Sequence, residues 1–424
     1  MRKNALTKYF LTWAMCLLAL PVIAAHQHHD ADSQENNKPL PPLSIHNASV
    51  VSSVYAKDGR LGLTWGHGAH VYVNHSDDDG KSFSPPVKVN TEAEKIAAHG
   101  ESRPKIAIAD NGNIYIAYTQ KLPKRYTGNI RFSRSVDGGR HFSAPITVNS
   151  DLDIISHRFA AMTVNNKGEI YLAWLDARDA AKAKRDNKPY TGSALYAAVS
   201  TDHGVSFQPN SKIQDNSCQC CRIAMDTDSQ GSPVIVWRQI FGTNVRDHAL
   251  IKLTKSETSN ALSATKLSRV AVDNWAVDAC PHHGPAISIA DDDIYHLTWF
   301  TGAPERLGLH YARSTDHGQH FDAEHHFGTN EQQAQHADVH SFGNAVFIVW
   351  KEFDGTLSTL KLIQSTDSGN SWSTARSIAS ATGPTDYPFF VSKPSSNKDE
   401  LRVAWLGKEQ GMRLFDISRA KHDQ

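Results

Sequence analysis

Short apolar runs alternate with polar residues along the chain and come in pairs, each pair joined by a turn carrying Gly, Asp or Asn. The stretch Lys105 to Tyr118 (KIAIADNGNIYIAY) shows the form: a period-two run, an Asp-Asn-Gly turn, then a β-branched and aromatic run. Related pairs stand at Val50 to Trp65, Phe159 to Trp174, Ile223 to Trp237, Ala286 to Trp299, Val339 to Trp350 and Phe389 to Trp405. The pattern predicts seven hairpins, six ending in Trp and one in Tyr118. The regular register of Trp65, Trp174, Trp237, Trp299, Trp350 and Trp405 at strand ends assigns them to packing rather than to sugar stacking. Phe300, one residue past Trp299, is the better ligand contact.

A second pattern punctuates the hairpins. Ser-x-Asp-x-Gly-x-x-aromatic occurs at Ser76 to Phe83, Ser135 to Phe142, Ser200 to Phe207, Ser314 to Phe321 and Ser365 to Trp372. Ser and Asp side chains can bond backbone N–H groups of a tight turn, Gly supplies a positive φ, and the aromatic returns the chain to an apolar layer. The copies recur at about 50 to 65 residues, with one interval near twice that, which leaves room for a degenerate copy around Ser256 to Ala261. A hairpin, a third strand, the stapled turn and a fourth strand make a four-stranded antiparallel blade, and radial stacking of blades protects their edges. The expected fold is therefore an all-β propeller of seven repeat units over residues 43–424. The last unit has a third strand at Met412 to Ile417 but no turn motif, so a strand near Leu43 to Ile45 is expected to complete it.

The repeated turn is the Asp-box, or BNR repeat, and over nearly all of residues 43–424 the chain resembles the sialidase superfamily. That family has six blades against the seven units counted here, and its Asp-boxes lie on the periphery, away from the catalytic mouth. The resemblance implies an acidic sugar held by arginines, a Tyr nucleophile activated by Glu, and an Asp acid/base. In a propeller the segments leading into first strands and leaving second strands converge on one face. This places Arg103, Arg158 and Arg222 of consecutive units at one register, with Arg238 nearby, and guanidinium forks suit a carboxylate. By resemblance Tyr387 is the nucleophile, Glu305 or Glu352 its activator, and Asp176 or Asp179 the acid/base. The family's first arginine stands in Arg-Ile-Pro in the first blade, whereas Arg103 stands in SRPKI in the second. Arginines that merely bond loop carbonyls and carboxylates are the structural alternative.

Charge narrows the partners: 44 basic residues balance 44 acidic ones, which argues against a nucleic-acid ligand. Arg2, Lys3 and Lys8, the apolar run Phe10 to Leu20, then Pro21, Ala24 and Ala25 read as a secretory signal peptide over residues 1–25. No later run is long enough for an integral membrane segment. A polar, His-rich arm follows over residues 26–42, and the protein is expected to be exported to the periplasm or beyond the cell. Cleavage after Ala25 would present His26-Gln27-His28 as a Cu(II) chelate.

Four cysteines then remain: Cys218, Cys220 and Cys221 in CQCC, and Cys280 in CPHH. They lead into adjacent units and allow either disulfides in three connectivities or, with His282 and His283, a site for copper or zinc. No other cofactor is implied. Three functions stay open: recognition, with or without hydrolysis, of a carboxylate-bearing glycan or other acidic small ligand; metal binding by the Cys/His set; and a non-catalytic scaffold whose mouth docks a protein.

Overall fold

The computed structural model describes residues 44–45, 48–394 and 400–417. The signal segment, the His-rich arm and Leu43 lie outside these residues. Among the described residues the regular structure is nearly all strand, with one eight-residue helix, Arg178–Arg185. No described helix is long and apolar enough to cross a membrane.

All seven hairpins form. Their innermost strands are Val51–Tyr55, Lys105–Ile108, His157–Val164, Ala224–Thr227, Ala286–Ile289, Gln335–Phe342 and Phe389–Lys393, each paired antiparallel with the strand that follows. These inner strands neighbour one another in chain order, and the last, Phe389–Lys393, lies beside the first, Val51–Tyr55. The protein is thus a closed ring of sheets, a β-propeller. The third and fourth units are additionally bridged where Ser217 pairs with Gln239. The seventh sheet has three strands among the described residues, and Ile45 sits in a short 3₁₀ turn packed on the first and seventh units rather than in a completing strand.

Side chains from the inner strands staple one unit to the next. Asp226 accepts the Ile289 N–H at 2.8 Å, and Asp338 accepts the Phe390 N–H at 2.7 Å. Ser52 donates to the Pro104 carbonyl at 2.7 Å, and Ser288 accepts the Ser341 N–H at 3.0 Å. These contacts satisfy backbone groups that strand pairing leaves open at the channel.

The six tryptophans that end the hairpins are buried between sheets, and each of their indole N–H groups finds an acceptor, as a buried indole requires. In three units the acceptor is two residues ahead: Trp174 donates to Asp176 at 2.8 Å, Trp237 to Gln239 at 3.0 Å and Trp350 to Glu352 at 2.9 Å.

The five Asp-boxes share one geometry. In each the Ser hydroxyl donates to the Asp carboxylate and accepts the Gly N–H, as at Ser200, Asp202 and Gly204 (2.7 and 2.9 Å), while the same carboxylate takes a backbone N–H four residues on. The residue before the Gly also has positive φ, for example His203 at 58° ahead of Gly204 at 80°. At Gly369 a Cβ would overlap the Tyr311 hydroxyl, so the turn requires Gly for space as well as for its dihedral. The segment Ser256 to Ala261 occupies the corresponding place in the fourth unit, but Thr258 stands where the Asp would be.

Candidate functional site

The axial face gathers residues far apart in sequence. Arg103, just ahead of its inner strand, donates to Asp386 at 2.8 Å and to the Val51 carbonyl at 2.9 Å. Arg222 forms a paired contact with Glu101: its backbone N–H lies 2.7 Å from one oxygen and its guanidinium 3.1 Å from the other. Both guanidinium groups stand over the Tyr387 ring, at 5.5 and 5.7 Å, and the Lys351 ammonium is 5.8 Å from it. Tyr387 lies against His336 at 3.5 Å, which stacks on His283 at 4.7 Å, which stacks on Phe300 at 4.3 Å. Four rings therefore form a ladder from the fifth unit to the seventh. Burial holds His336 well below the usual histidine range, so this ladder carries a neutral imidazole.

Beside the ladder a cavity of about 210 Å³ opens on the channel, lined by Ser52, Ser53, Arg103, Lys105, Arg222, Asp338 and Tyr387 among others. Burial, and then the Arg103 and Arg222 charges, push Lys105 down to about 7. Among the described residues its ammonium has no hydrogen-bond or ion-pair partner. Burial raises Asp338 and Asp386 above the ordinary carboxylate range, against the opposing pull of the Arg103 charge that Asp386 pairs with.

The other arginines do different work. Arg238 is buried and donates to three backbone carbonyls, of Arg246 at 2.8 Å and of His283 and Phe300 at 2.9 Å each, which makes it a clamp between loops. Arg158 lies outside the cavity, over Phe159 at 4.8 Å and Tyr126 at 5.9 Å. It projects from a bulged start of its strand, where Phe159 takes φ 62°. Phe300 serves the ring ladder and does not line the cavity.

Of the four carboxylates expected beside Tyr387 three are engaged elsewhere, and none of the four lines the cavity. Asp176 is fully buried; burial alone would raise it, but contacts with His157 and Arg178 prevail and hold it at about 2. Asp179, in the first turn of the helix, accepts from Tyr196 at 2.9 Å and pairs with Lys212 at 3.3 Å. Glu352 is the buried acceptor for Trp350 and for the Thr329 N–H. Glu305 is exposed on a turn. The carboxylate that does stand near Tyr387 is Glu101, which together with the larger effect of burial pushes the phenol well above its ordinary range.

The cysteines converge where the chain enters the fourth and fifth units. The donor atoms of Cys218, Cys220 and Cys221 lie within 4.8 Å of one another, and so do those of Cys220, Cys280 and His282. No disulfide joins them, and the Cys218 and Cys220 sulfurs are 3.7 Å apart. The first three are buried and Cys280 is exposed. His283 belongs to neither group, its ring being held in the ladder.

No family model matches the chain, and no curated protein matches it in sequence. Solved structures do resemble it. A polysaccharide lyase, PL25 ulvan lyase, aligns over 88% of this chain and 92% of its own with a TM-score of 0.53 and 10% identity. A Hadza microbial sialidase aligns over 88% and 75% respectively, with a TM-score of 0.50 and 15% identity. The likeness is one of fold. It places the chain among propellers of the kind that sialidases and polysaccharide lyases share, without singling out the sialidase superfamily.

The sequence did not single out Lys105, which lines the axial cavity, or Glu101, which pairs with Arg222 beside it. Lys105 was legible only as the first residue of a strand. The available signal was its alternation: inner strands turn every second residue toward the channel, and polar residues such as Ser53, Lys105, Asp226 and Asp338 at such positions mark a wet axis.

Proposed function

We propose that the axial cavity binds a small acidic ligand, with a carboxylate-bearing sugar as the class that fits its size and charge. The observation that carries this reading is the cluster of Arg103, Lys105, Arg222 and Lys351 around Tyr387, with Lys105 lacking an anionic partner of its own. An anion seated against Lys105 would complete the charge pairing and restore the lysine to its protonated form. Arg103 and Arg222 are each pre-set by one carboxylate, which orients their remaining N–H groups before a ligand arrives. The resemblances to a sialidase and a polysaccharide lyase make a glycan a reasonable source of that anion, and residues 1–25 favour a place of work outside the cytoplasm.

Calorimetry with matched oligosaccharides that carry glucuronic acid, sialic acid or only neutral sugars tests the reading. Acidic members should bind and neutral ones should not, and Lys105→Met should weaken binding by about 10-fold, the scale of one charge-assisted hydrogen bond. Equal binding of neutral sugars, or undiminished affinity in Lys105→Met, overturns it.

A second reading, hydrolysis with Tyr387 as nucleophile, is favoured by the Arg103 and Arg222 guanidinium groups over that ring, whose charges oppose the effect of burial on the phenol. Release of free sugar from an aryl sialoside, abolished by Tyr387→Phe, would establish it; binding without release would leave recognition as the function.

A further inference from the structure

The cysteine cluster stands apart from the axial cavity and has a chemistry of its own. Three features meet there. First, five soft or borderline donors from two separate chain segments, which lead into adjacent units, are already assembled: Cys218, Cys220, Cys221, Cys280 and His282. Second, the Cys218 and Cys220 sulfurs stand 3.7 Å apart. Two thiolates about 2.3 Å from a shared tetrahedral ion would stand about 3.8 Å apart, whereas a disulfide requires about 2.0 Å. Third, cations surround the sulfurs. The Arg246 guanidinium donates to Cys218 Sγ at 3.1 Å, and Arg158, which has no carboxylate partner among the described residues, faces Cys220 and Cys280. A site of several thiolates around one ion carries net negative charge, and these guanidinium groups are placed to balance it.

We propose that Cys218, Cys220, Cys221, Cys280 and His282 form a binding site for a thiophilic metal ion, Cu(I) or Zn(II). Cys220 belongs to both donor groups, so it is the ligand that no ion in the cluster can do without. Buried Cys218, Cys220 and Cys221 supply the dry floor, and exposed Cys280 lies on the side from which an ion enters. His282 is held at φ 54°, a left-handed conformation uncommon outside Gly and worth its strain when it aims a functional side chain. Both metals share the chemistry of this donor set, and elemental analysis separates them.

The test uses the full chain, purified without an affinity tag under anaerobic conditions, incubated in parallel with Zn(II) and with Cu(I), desalted against a weak chelator, and analysed by plasma mass spectrometry. The wild type should retain one or two equivalents of one metal, two being expected if Cys220 bridges a pair of ions. Cys220→Ser should bind at least about 10-fold more weakly, Arg246→Met about 10-fold more weakly through its place beside Cys218, and His320→Ala on the outer rim should bind as the wild type does. Should Cys220→Ser fail to fold, Co(II) added to the wild type serves instead: thiolate-to-cobalt charge-transfer absorption should appear and be erased by Zn(II). Folded wild type that retains neither metal and shows no such absorption overturns the proposal. So does intact mass showing the sulfurs already joined as disulfides in protein from the native compartment. Sugar binding at the axial cavity is measured separately, so failure of one proposal is distinguishable from failure of the other.

Discussion

The outer rim and the axial mouth of this propeller are built on opposite plans. On the rim, the Ser, Asp and Gly of each Asp-box bond one another inside eight residues, and five copies repeat that set with distances that agree to within a few tenths of an ångström. At the mouth no contact repeats. Arg103 reaches Asp386 from the far end of the chain, Arg222 reaches Glu101 two units away, and Arg238 ties its partner strand to a loop and a strand of the next unit. The rim is a local solution copied around the ring; the mouth is assembled once, from pieces that only ring closure brings together. Repetition therefore reports the scaffold, and departures from repetition report what the scaffold holds.

The sharpest way to break this contrast is at Arg238. Replacing it with Ala leaves three part-buried carbonyls without this donor and should cost about 3 kcal/mol of stability, read as a shift of the urea midpoint, with no change in affinity for an acidic ligand at constant folded fraction. A loss of affinity without a loss of stability would move Arg238 from clamp to ligand contact.

Asp202→Ala removes from one Asp-box the acceptor for Ser200, for the Ser206 N–H and for the Ser206 hydroxyl. Since the turn is open to water, the cost should be about 1–2 kcal/mol, and ligand and metal binding should be untouched. A larger cost than at Arg238 would mean the rim carries the fold.

At Lys105 the contrast is tested through pH rather than through a lost contact. Its folded pKa, at about 7, lies below the unfolded value, so the unfolded chain binds more protons above that pH and stability rises as pH climbs from about 7 into the ordinary lysine range. Acidic-ligand affinity should fall over the same window as the ammonium is lost. Urea titrations and calorimetry across it should show both trends in the wild type and weaker ones in Lys105→Met, where Lys351 remains as a second lysine that burial lowers; identical profiles for the two proteins would remove Lys105 from the site.

The same contrast explains how much the sequence revealed. Hairpins and Asp-boxes are specified by neighbours in the chain, so period-two alternation and the Ser-x-Asp-x-Gly spacing located all seven units. The convergence of Arg103, Arg222 and Tyr387, and of Cys218, Cys220, Cys221, Cys280 and His282, was also legible, because each occupies an equivalent place ahead of an inner strand. Their partners were not. Asp176 and Glu352 looked like catalytic candidates at strand exits, yet each sits two residues past a tryptophan whose indole N–H it accepts, a packing role that the Trp-x-acid spacing could have disclosed. Glu101 was passed over because its significance depends on Arg222 and Tyr387, 121 and 286 residues away in sequence.

Ring closure has a mechanical consequence. In the described residues no strand from one end of the chain is woven into the sheet at the other; the first and seventh units meet through packed side chains and through Asp79, which takes Lys393 at 2.8 Å and Arg402 at 2.7 Å. Among the described residues the ring is thus a bracelet with a clasp rather than a welded band. Tension applied to its two ends would fall on that clasp before any hydrogen-bonded ladder bore load, and because the clasp is partly ionic, salt would loosen it while leaving the links intact.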